Sequence, residues 1–340
     1  MAILWHSTGQ GRRVVTGVSA VSTSQSLLLY DNPPEQEDSE TQVLSGLLAE
    51  EKSISPKFFY DEEGSKLFTE ITRQPKYYLT RTELALLREN TREIGELVGK
   101  DTLLIEYGSG SSEKVRILLE SLRPKVYAPI DISRNYLTKA ADALNDDYPW
   151  LDVRAICLDY TVEFGLPFEV EARRVAFFPG SSIGNFDRDE ALQFLKRVRH
   201  LVGNEGGLLV GVDLKKDISV LNAAYNDANG VTEKFNLNIL CHLNRELSGN
   251  FNLDGFSHLA RYNELEGCIQ MFLKSKSEQV VNLAGHEIYF KEGETIHTEN
   301  SHKYSLTEFH EMADAAGFAQ HRYWCDARNW FAVFYLSSLT

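Results

Sequence analysis

Three carboxylates stand at or near the ends of apolar runs: Glu106 in the run 103–107, Asp131 after 126–130, and Asp159 after 153–158. In an open α/β sheet ligands bind outside the carboxyl ends of the strands, so acids repeated there read as the lining of a crevice. The first run breaks into Gly108-Ser109-Gly110, and a helical pattern starts near Ser112. Such glycines permit positive φ and close backbone approach, while the helix start offers free N–H groups. A dinucleotide fingerprint wants a third glycine three residues on, where Glu113 stands. Two carboxylates would repel a pyrophosphate but suit an adenosyl group carrying a sulfonium, with Asp131 on the ribose hydroxyls. The pattern therefore favours S-adenosylmethionine over a dinucleotide, an unliganded turn being the plain alternative.

Other candidates lie further along. A fourth apolar run, 175–178, exits into Pro179-Gly180-Ser181-Ser182-Ile183-Gly184-Asn185-Phe186, a rigid loop with the amide of Asn185 facing the crevice or capping a turn. Residues 55–83 carry Tyr60, Tyr77 and Tyr78, read either as half-buried packing or as a lid over a ligand. Glu299 beside Ser301 offers one ligand an acceptor and a hydroxyl, or lies on a solvated strand edge. His297 and His302 have no third partner at metal-ligand spacing, so no metal is expected.

The elements that must position these residues follow from period and punctuation. The runs above, with 207–212 ending at Asp213, alternate with helices at 135–144 and 188–202. A short amphipathic helix begins at 40–48, another spans 65–72 with Leu67, Phe68 and Ile71 inward, and Thr82 caps the helix running to Leu97. At 217 the rhythm stops: two helices and an antiparallel meander reach about 300 and read as an insertion. The helix 306–316 and strands 320–325 and 330–336 close the fold. The expected class is α/β with an inserted α+β domain. Its divisions are a flexible extension over 1–39, a Tyr-rich segment over 40–85, the core at 86–216 and 301–340, and the insertion at 217–300.

With 340 residues, 43% hydrophobic and 25% charged, the composition is that of an ordinary globular chain. A net charge of -14 without a basic face argues against nucleic acid as partner and favours a small zwitterionic or cationic substrate. Four widely spaced cysteines suggest neither a zinc site nor disulfides, so a reducing, cytoplasmic setting is expected. No apolar run approaches the roughly 18 residues of a membrane span. The Arg12-Arg13, Ser- and Thr-rich start loosely resembles a transit peptide but lacks an amphipathic helix.

Six stretches together resemble one family over residues 45–338. They are Tyr-Asp-x-x-Gly-Ser-x-Leu-Phe-x-x-Ile-Thr at 60–72, Tyr-Tyr-x-Thr-Arg-x-Glu at 77–83, Gly-Ser-Gly-Ser at 108–111 with Lys114, and Phe-Pro-Gly-Ser-Ser-Ile-Gly-Asn at 178–185. The last two are Tyr-Asn-Asp-Ala-x-Gly-Val-Thr-x-x-Phe-Asn at 225–236 and Thr-Glu-x-Ser-x-Lys-Tyr at 298–304. They resemble the S-adenosylmethionine-dependent, histidine-specific methyltransferases. The resemblance implies a class I methyltransferase (Rossmann-like) core and methylation of the α-amino group of L-histidine to the trimethyl betaine hercynine, in ergothioneine biosynthesis. It implies that Tyr107, Gly108, Lys114, Asp131, Asp159 and Tyr160 hold the methyl donor. Tyr77, Asn185 and Tyr225 would hold the substrate carboxylate, Tyr60 and Gly180 would lie near the amine, and Glu299 and Ser301 would read the imidazole. Phe178, Tyr60 or Met271 would give the developing cation an apolar surface. No side chain serves as general base; Asn185 and Tyr60 position the amine. A monomer is expected. The alternatives are an N-methyltransferase for another amino acid or biogenic amine, then a nicotinamide oxidoreductase and a non-catalytic ligand-binding protein of the same fold.

Overall fold

The structure, a computed structural model, describes residues 20–22, 27–31 and 36–337. Its centre is a nine-stranded sheet in the order β1-β2-β5-β4-β3-β6-β7-β14-β13. The strands are β1 (Ala20–Ser22), β2 (Leu27–Asp31), β3 (Leu103–Tyr107), β4 (Val126–Asp131), β5 (Asp152–Cys157), β6 (Arg174–Phe178), β7 (Gly207–Asp213), β13 (Gln320–Cys325) and β14 (Phe331–Ser337). From β2 to β7 the neighbours run parallel, whereas β1 pairs antiparallel with β2, β14 with β7 and β13 with β14. The order reverses at β3, which has β4 on one side and β6 on the other, so the crevice opens where the glycine turn leaves β3.

Both faces of the sheet are covered, which is why β3 and β7 are apolar at nearly every position and buried throughout. Leu104 shares a core with residues of α3 (Tyr78–Val98), α4 (Glu113–Leu122) and α5 (Arg134–Asp147). Leu103, Ile105 and Tyr107 face α6 (Arg188–Val202) and α9 (Leu306–Ala315) instead. The reading of α6 matches residue for residue because its start is written locally: Asp187 accepts the Glu190 amide at 2.8 Å while Glu190 accepts the Asp187 amide at 3.1 Å.

Three further helices, α1 (Gln36–Leu47), α2 (Glu62–Thr72) and α8 (Val231–Glu246), together with α7 (Ile218–Tyr225), build the second lobe. Its sheet pairs β8 (Phe256–Asn263), β9 (Cys268–Ser275) and β12 (Thr295–His302) in the order β12-β9-β8, beside the hairpin β10 (Gln279–Leu283) and β11 (His286–Phe290). The N-terminal segment belongs to this lobe. Asp61 caps α2 at the Gly64 amide (2.7 Å) and also accepts from Asn238 of α8 (2.9 Å) and from Arg245 of α8 (2.9 Å).

Four expectations are corrected. Residues 27–31, placed in a flexible extension, form a strand paired with β5, because Leu28-Leu29-Tyr30 offers an apolar run to an otherwise open sheet edge. The first 19 residues of that extension lie outside the described residues. The boundary at 85/86 falls inside α3, and Thr82 does not cap that helix: it sits within it, donating to the Tyr78 carbonyl at 2.8 Å. The boundary at 300/301 falls inside β12.

Candidate active site

The donor half of the crevice is organised by the turn after β3. Gly108 and Gly110 have φ of 65° and 51°, in the left-handed region where a side chain is strained. The Gly110 amide donates to Asp131 Oδ2 at 3.0 Å and the Ser133 amide to Oδ1 at 2.9 Å, so the acid ending β4 pins the turn beside it. Burial pushes the Asp131 carboxyl up, and these amides oppose the shift. The Ile132 amide adds a third bond, and the carboxylate keeps lone-pair room for a further donor such as a ribose hydroxyl. Asp159 accepts the Thr161 amide at 2.9 Å and meets Lys57 at 3.1 Å. A side chain added at Gly108 would meet the Tyr160 hydroxyl at 3.6 Å, which places Tyr160 over the turn. Ser109 Oγ is buried with no hydrogen-bond partner among the described residues. A side-chain-free glycine turn, the flanking acids Asp131 and Asp159 and an unsatisfied buried hydroxyl fit an adenosyl sulfonium ligand.

Two expected contacts differ. The Tyr107 side chain packs among Tyr160, Phe164, Phe178 and Phe194, with ring centroids 5.3–6.1 Å away, because alternation along β3 sends it to the face opposite Glu106. Phe178 is fully buried in the same aromatic cluster and gives no surface to a cation. Glu106 itself is buried against the Tyr127 hydroxyl, and burial pushes its carboxyl up to about 8.

The second half rises from β12. Along that strand the pairing with β9 shifts between His297 and Glu299, leaving Thr298 as a bulge. Opposite residues of an antiparallel pair share a face, so Glu299 (opposite Met271) and Ser301 (opposite Ile269) point the same way as Ile296 (opposite Leu273). The bulge turns Thr298 inward as well, where its hydroxyl donates to Asn236 of α8 at 2.8 Å. Glu299 is 8% exposed, and burial pushes its carboxyl up to about 7 with Lys303 opposing. Met271 is buried opposite it.

Tyr225, at the end of α7, lies 2.8 Å from Ser301 Oγ, and the Tyr77 ring meets the Tyr225 ring edge-on at 6.2 Å. The Tyr60 ring rests on Phe68 and Phe235, and burial first, then the Glu299 carboxylate of one half and the Asp131 carboxylate of the other, push its phenol up. Tyr60 thus stands between the two halves. Asn185 ends a short 3-10 turn, Ser182–Asn185, held on β12 because Gly184 leaves room for the His302 carbonyl; a Cβ there would lie 2.6 Å from that oxygen.

One carboxylate not singled out from the sequence ties the loop to the donor half. Glu83, 1% exposed in α3, accepts the Gly180 amide at 2.9 and 3.0 Å and pairs with Lys114 at 2.7 Å. Its inward direction was readable, since Leu79, Glu83, Leu86 and Leu87 share one helical stripe. Room for it comes from Gly211 of β7, where a Cβ would lie 2.1 Å from Glu83 Oε1. Gly211→Ala is expected to cost about 1–3 kcal/mol by overpacking and to raise the KM of both substrates, measured by urea denaturation and initial rates. Also unassigned from the sequence are Asp213 and Lys303, both fully buried and paired at 2.8 Å.

A sheet of this order, with a glycine turn after its central strand and an acid ending the next, defines a class I methyltransferase core. A family model for S-adenosylmethionine-dependent, histidine-specific methyltransferases matches residues 39–338, and the chain belongs to that family. It is 40% identical over 297 residues to the histidine N-alpha-methyltransferase of Mycolicibacterium smegmatis, covering 86% of this chain and 92% of that one. The protein of the same name from Mycobacterium tuberculosis is 38% identical with the same coverage. Ergothioneine biosynthesis protein 1 of Neurospora crassa is 30% identical over 285 residues, which span 80% of this chain and 32% of that protein.

Proposed function

We propose that the chain methylates the α-amino group of L-histidine with S-adenosylmethionine, three times in succession, giving hercynine on the route to ergothioneine. The observation that carries this reading is the pair on β12, the buried Glu299 carboxylate and the buried Ser301 hydroxyl on one face, the latter 2.8 Å from the Tyr225 hydroxyl. An imidazole, with one N–H and one lone pair, satisfies both with a single planar ring. In this reading Gly108, Lys114, Asp131, Asp159 and Tyr160 hold the methyl donor, which when bound supplies an electrophilic sulfonium methyl. Tyr77 and Asn185 hold the substrate carboxylate, Tyr60 and the Gly180 loop flank the amine, and Met271 lines the pocket; Tyr225, given to the carboxylate on the resemblance, spends its hydroxyl on Ser301 and Lys303 instead.

Only the neutral amine can attack. Desolvation in the closed site disfavours the ammonium, and fixing the nitrogen at near-attack distance supplies roughly 7–11 kcal/mol of the barrier reduction. Tyr60 stays a neutral phenol, since burial first and then Glu299 push its pKa up; it can orient the amine but not take its proton. The four free cysteines are in keeping with the cytoplasm.

The test is mass spectrometry of purified protein with S-adenosylmethionine and each amino acid in turn. Histidine alone gaining three methyl groups is expected; methylation of a different amino acid and not histidine would overturn the reading.

A pH dependence follows. Glu299 accepts from an imidazole N–H only as the carboxylate, and its carboxyl is pushed up to about 7. The KM for histidine is therefore expected to fall about tenfold between pH 6 and 8, and less in Glu299→Gln. Stability of the ligand-free protein runs the other way. Between its ordinary 4.5 and about 7 the folded state holds more protons on Glu299 than the unfolded, so this group lowers stability as pH rises through that window and adds no further slope above it.

A further inference from the structure

Beneath the pair that reads the substrate lies a buried lysine whose hydrogen bonds are fully accounted for. Lys303 Nζ is 2.8 Å from Asp213 Oδ2, 2.8 Å from Ser301 Oγ and 3.1 Å from the Tyr225 hydroxyl. An ammonium has three N–H donors and no acceptor, so each of the three oxygens takes one. Asp213 is anchored independently: the Tyr78 hydroxyl donates to it at 2.8 and 2.9 Å, Lys216 pairs with it, and its own amide donates to Ser181 Oγ at 2.9 Å. Lys303 therefore cannot turn away without leaving charge unpaired in a site of zero exposure.

The consequence falls on two protons. Ser301 Oγ and the Tyr225 oxygen lie 2.8 Å apart, so one hydroxyl donates to the other. Lys303 occupies a lone pair on each, and it cannot accept. The remaining hydroxyl proton has no acceptor inside the triangle and must point out of it, beside the Glu299 carboxyl on the same face of β12. Without Lys303 both hydroxyls could rotate, and an outward lone pair would be as available as an outward proton.

We propose that Lys303, held by Asp213, is a positioning residue for substrate selection: its bonds to Ser301 and Tyr225 direct one hydroxyl proton into the pocket, making a donor beside the Glu299 acceptor. This rests on the histidine reading for the identity of the ligand. The arrangement recognises a neutral ring with one N–H and one bare nitrogen, and the donor half of the crevice plays no part in it.

The test is a double-mutant cycle between Lys303→Met and Ser301→Ala on the full chain, reading kcat, the KM of histidine and the KM of S-adenosylmethionine. Lys303→Met is expected to raise the histidine KM at least tenfold and leave that of S-adenosylmethionine within twofold. In the Ser301→Ala background the same change is expected to cost less than threefold. Losses that multiply across the cycle, or both KM values rising together, would show a buried ion pair serving structure alone and overturn the proposal. Should Lys303→Met not fold, Lys303→Gln, which keeps an amide donor inside the cluster and leaves Asp213 paired with Lys216, replaces it and the cycle is read in that variant. If the wild type methylates another amino acid instead of histidine, the histidine reading fails by itself, and the cycle run with that amino acid still decides the role of Lys303.

Discussion

Glu299→Ala is expected to lower kcat/KM for L-histidine by roughly 10- to 100-fold, while the KM for S-adenosylmethionine stays within twofold. A hydrogen bond to a charged group contributes about 1.5–3 kcal/mol, and each 1.4 kcal/mol is a factor of ten. The loss exceeds that of a surface contact because Glu299 is 8% exposed and no water replaces it freely. Selectivity is expected to fall with the rate. A bare buried carboxylate penalises any side chain without an N–H donor, so its removal relieves that penalty for apolar aromatic side chains. Competition among amino acids in one reaction, resolved by mass spectrometry, checks this; an unchanged preference for histidine would place recognition elsewhere. Glu299→Gln separates shape from charge, since the amide keeps an acceptor and loses the ionisation.

Asp213→Ala is expected to be the most destabilising of these changes, by about 3–5 kcal/mol, because it strands two buried ammonium groups and the Tyr78 hydroxyl together. In the wild type, burial pushes Lys216 down to about 8 despite Asp213. For Lys303, burial acts in the same direction, and Asp213 with Tyr225 more than reverses it, leaving that lysine above its ordinary range. Without Asp213 both would shed protons readily, so the deficit of the variant is expected to shrink as the pH is raised from 7 to 9. Urea denaturation at the two pH values reads this directly. A deficit that does not change with pH would mean that cavity formation, and not unpaired charge, accounts for the loss.

Much of the core was legible because its signals are local. Strands buried on both faces are written as unbroken apolar runs, and each acid that follows marks a crevice edge. The limits of α6 were recoverable to the residue since Asp187, Glu190 and Gly203 punctuate both ends. What depends on partners was not. Leu27–Asp31 becomes a strand only because β5 offers an edge. Tyr78 opens α3 four residues before Thr82, the residue whose type suggested a cap. Within the candidate site, Glu83 carried a readable period, and Asp213 repeated the strand-end pattern of Glu106, Asp131 and Asp159. Lys303 was marked only as a fixed letter of the 298–304 motif, with no role attached, and the fold reveals that it is fully enclosed. The inward direction of Glu299 was also hidden, since strict alternation from Ile296 would have sent Thr298 in and Glu299 out.

The register shift in β12 bears on how such a chain can change over evolutionary time. Up to and including the bulge, β12 carries packing information, with Ile296 turned to the interior and Thr298 fastened to Asn236; beyond it stand Glu299 and Ser301, the pair proposed for recognition. The extra residue resets the phase between the two segments, so the letters at 299 and 301 can be rewritten without disturbing those that hold the strand in place. A scaffold divided in this way can trade one substrate for another by a few substitutions while its foldedness is inherited intact.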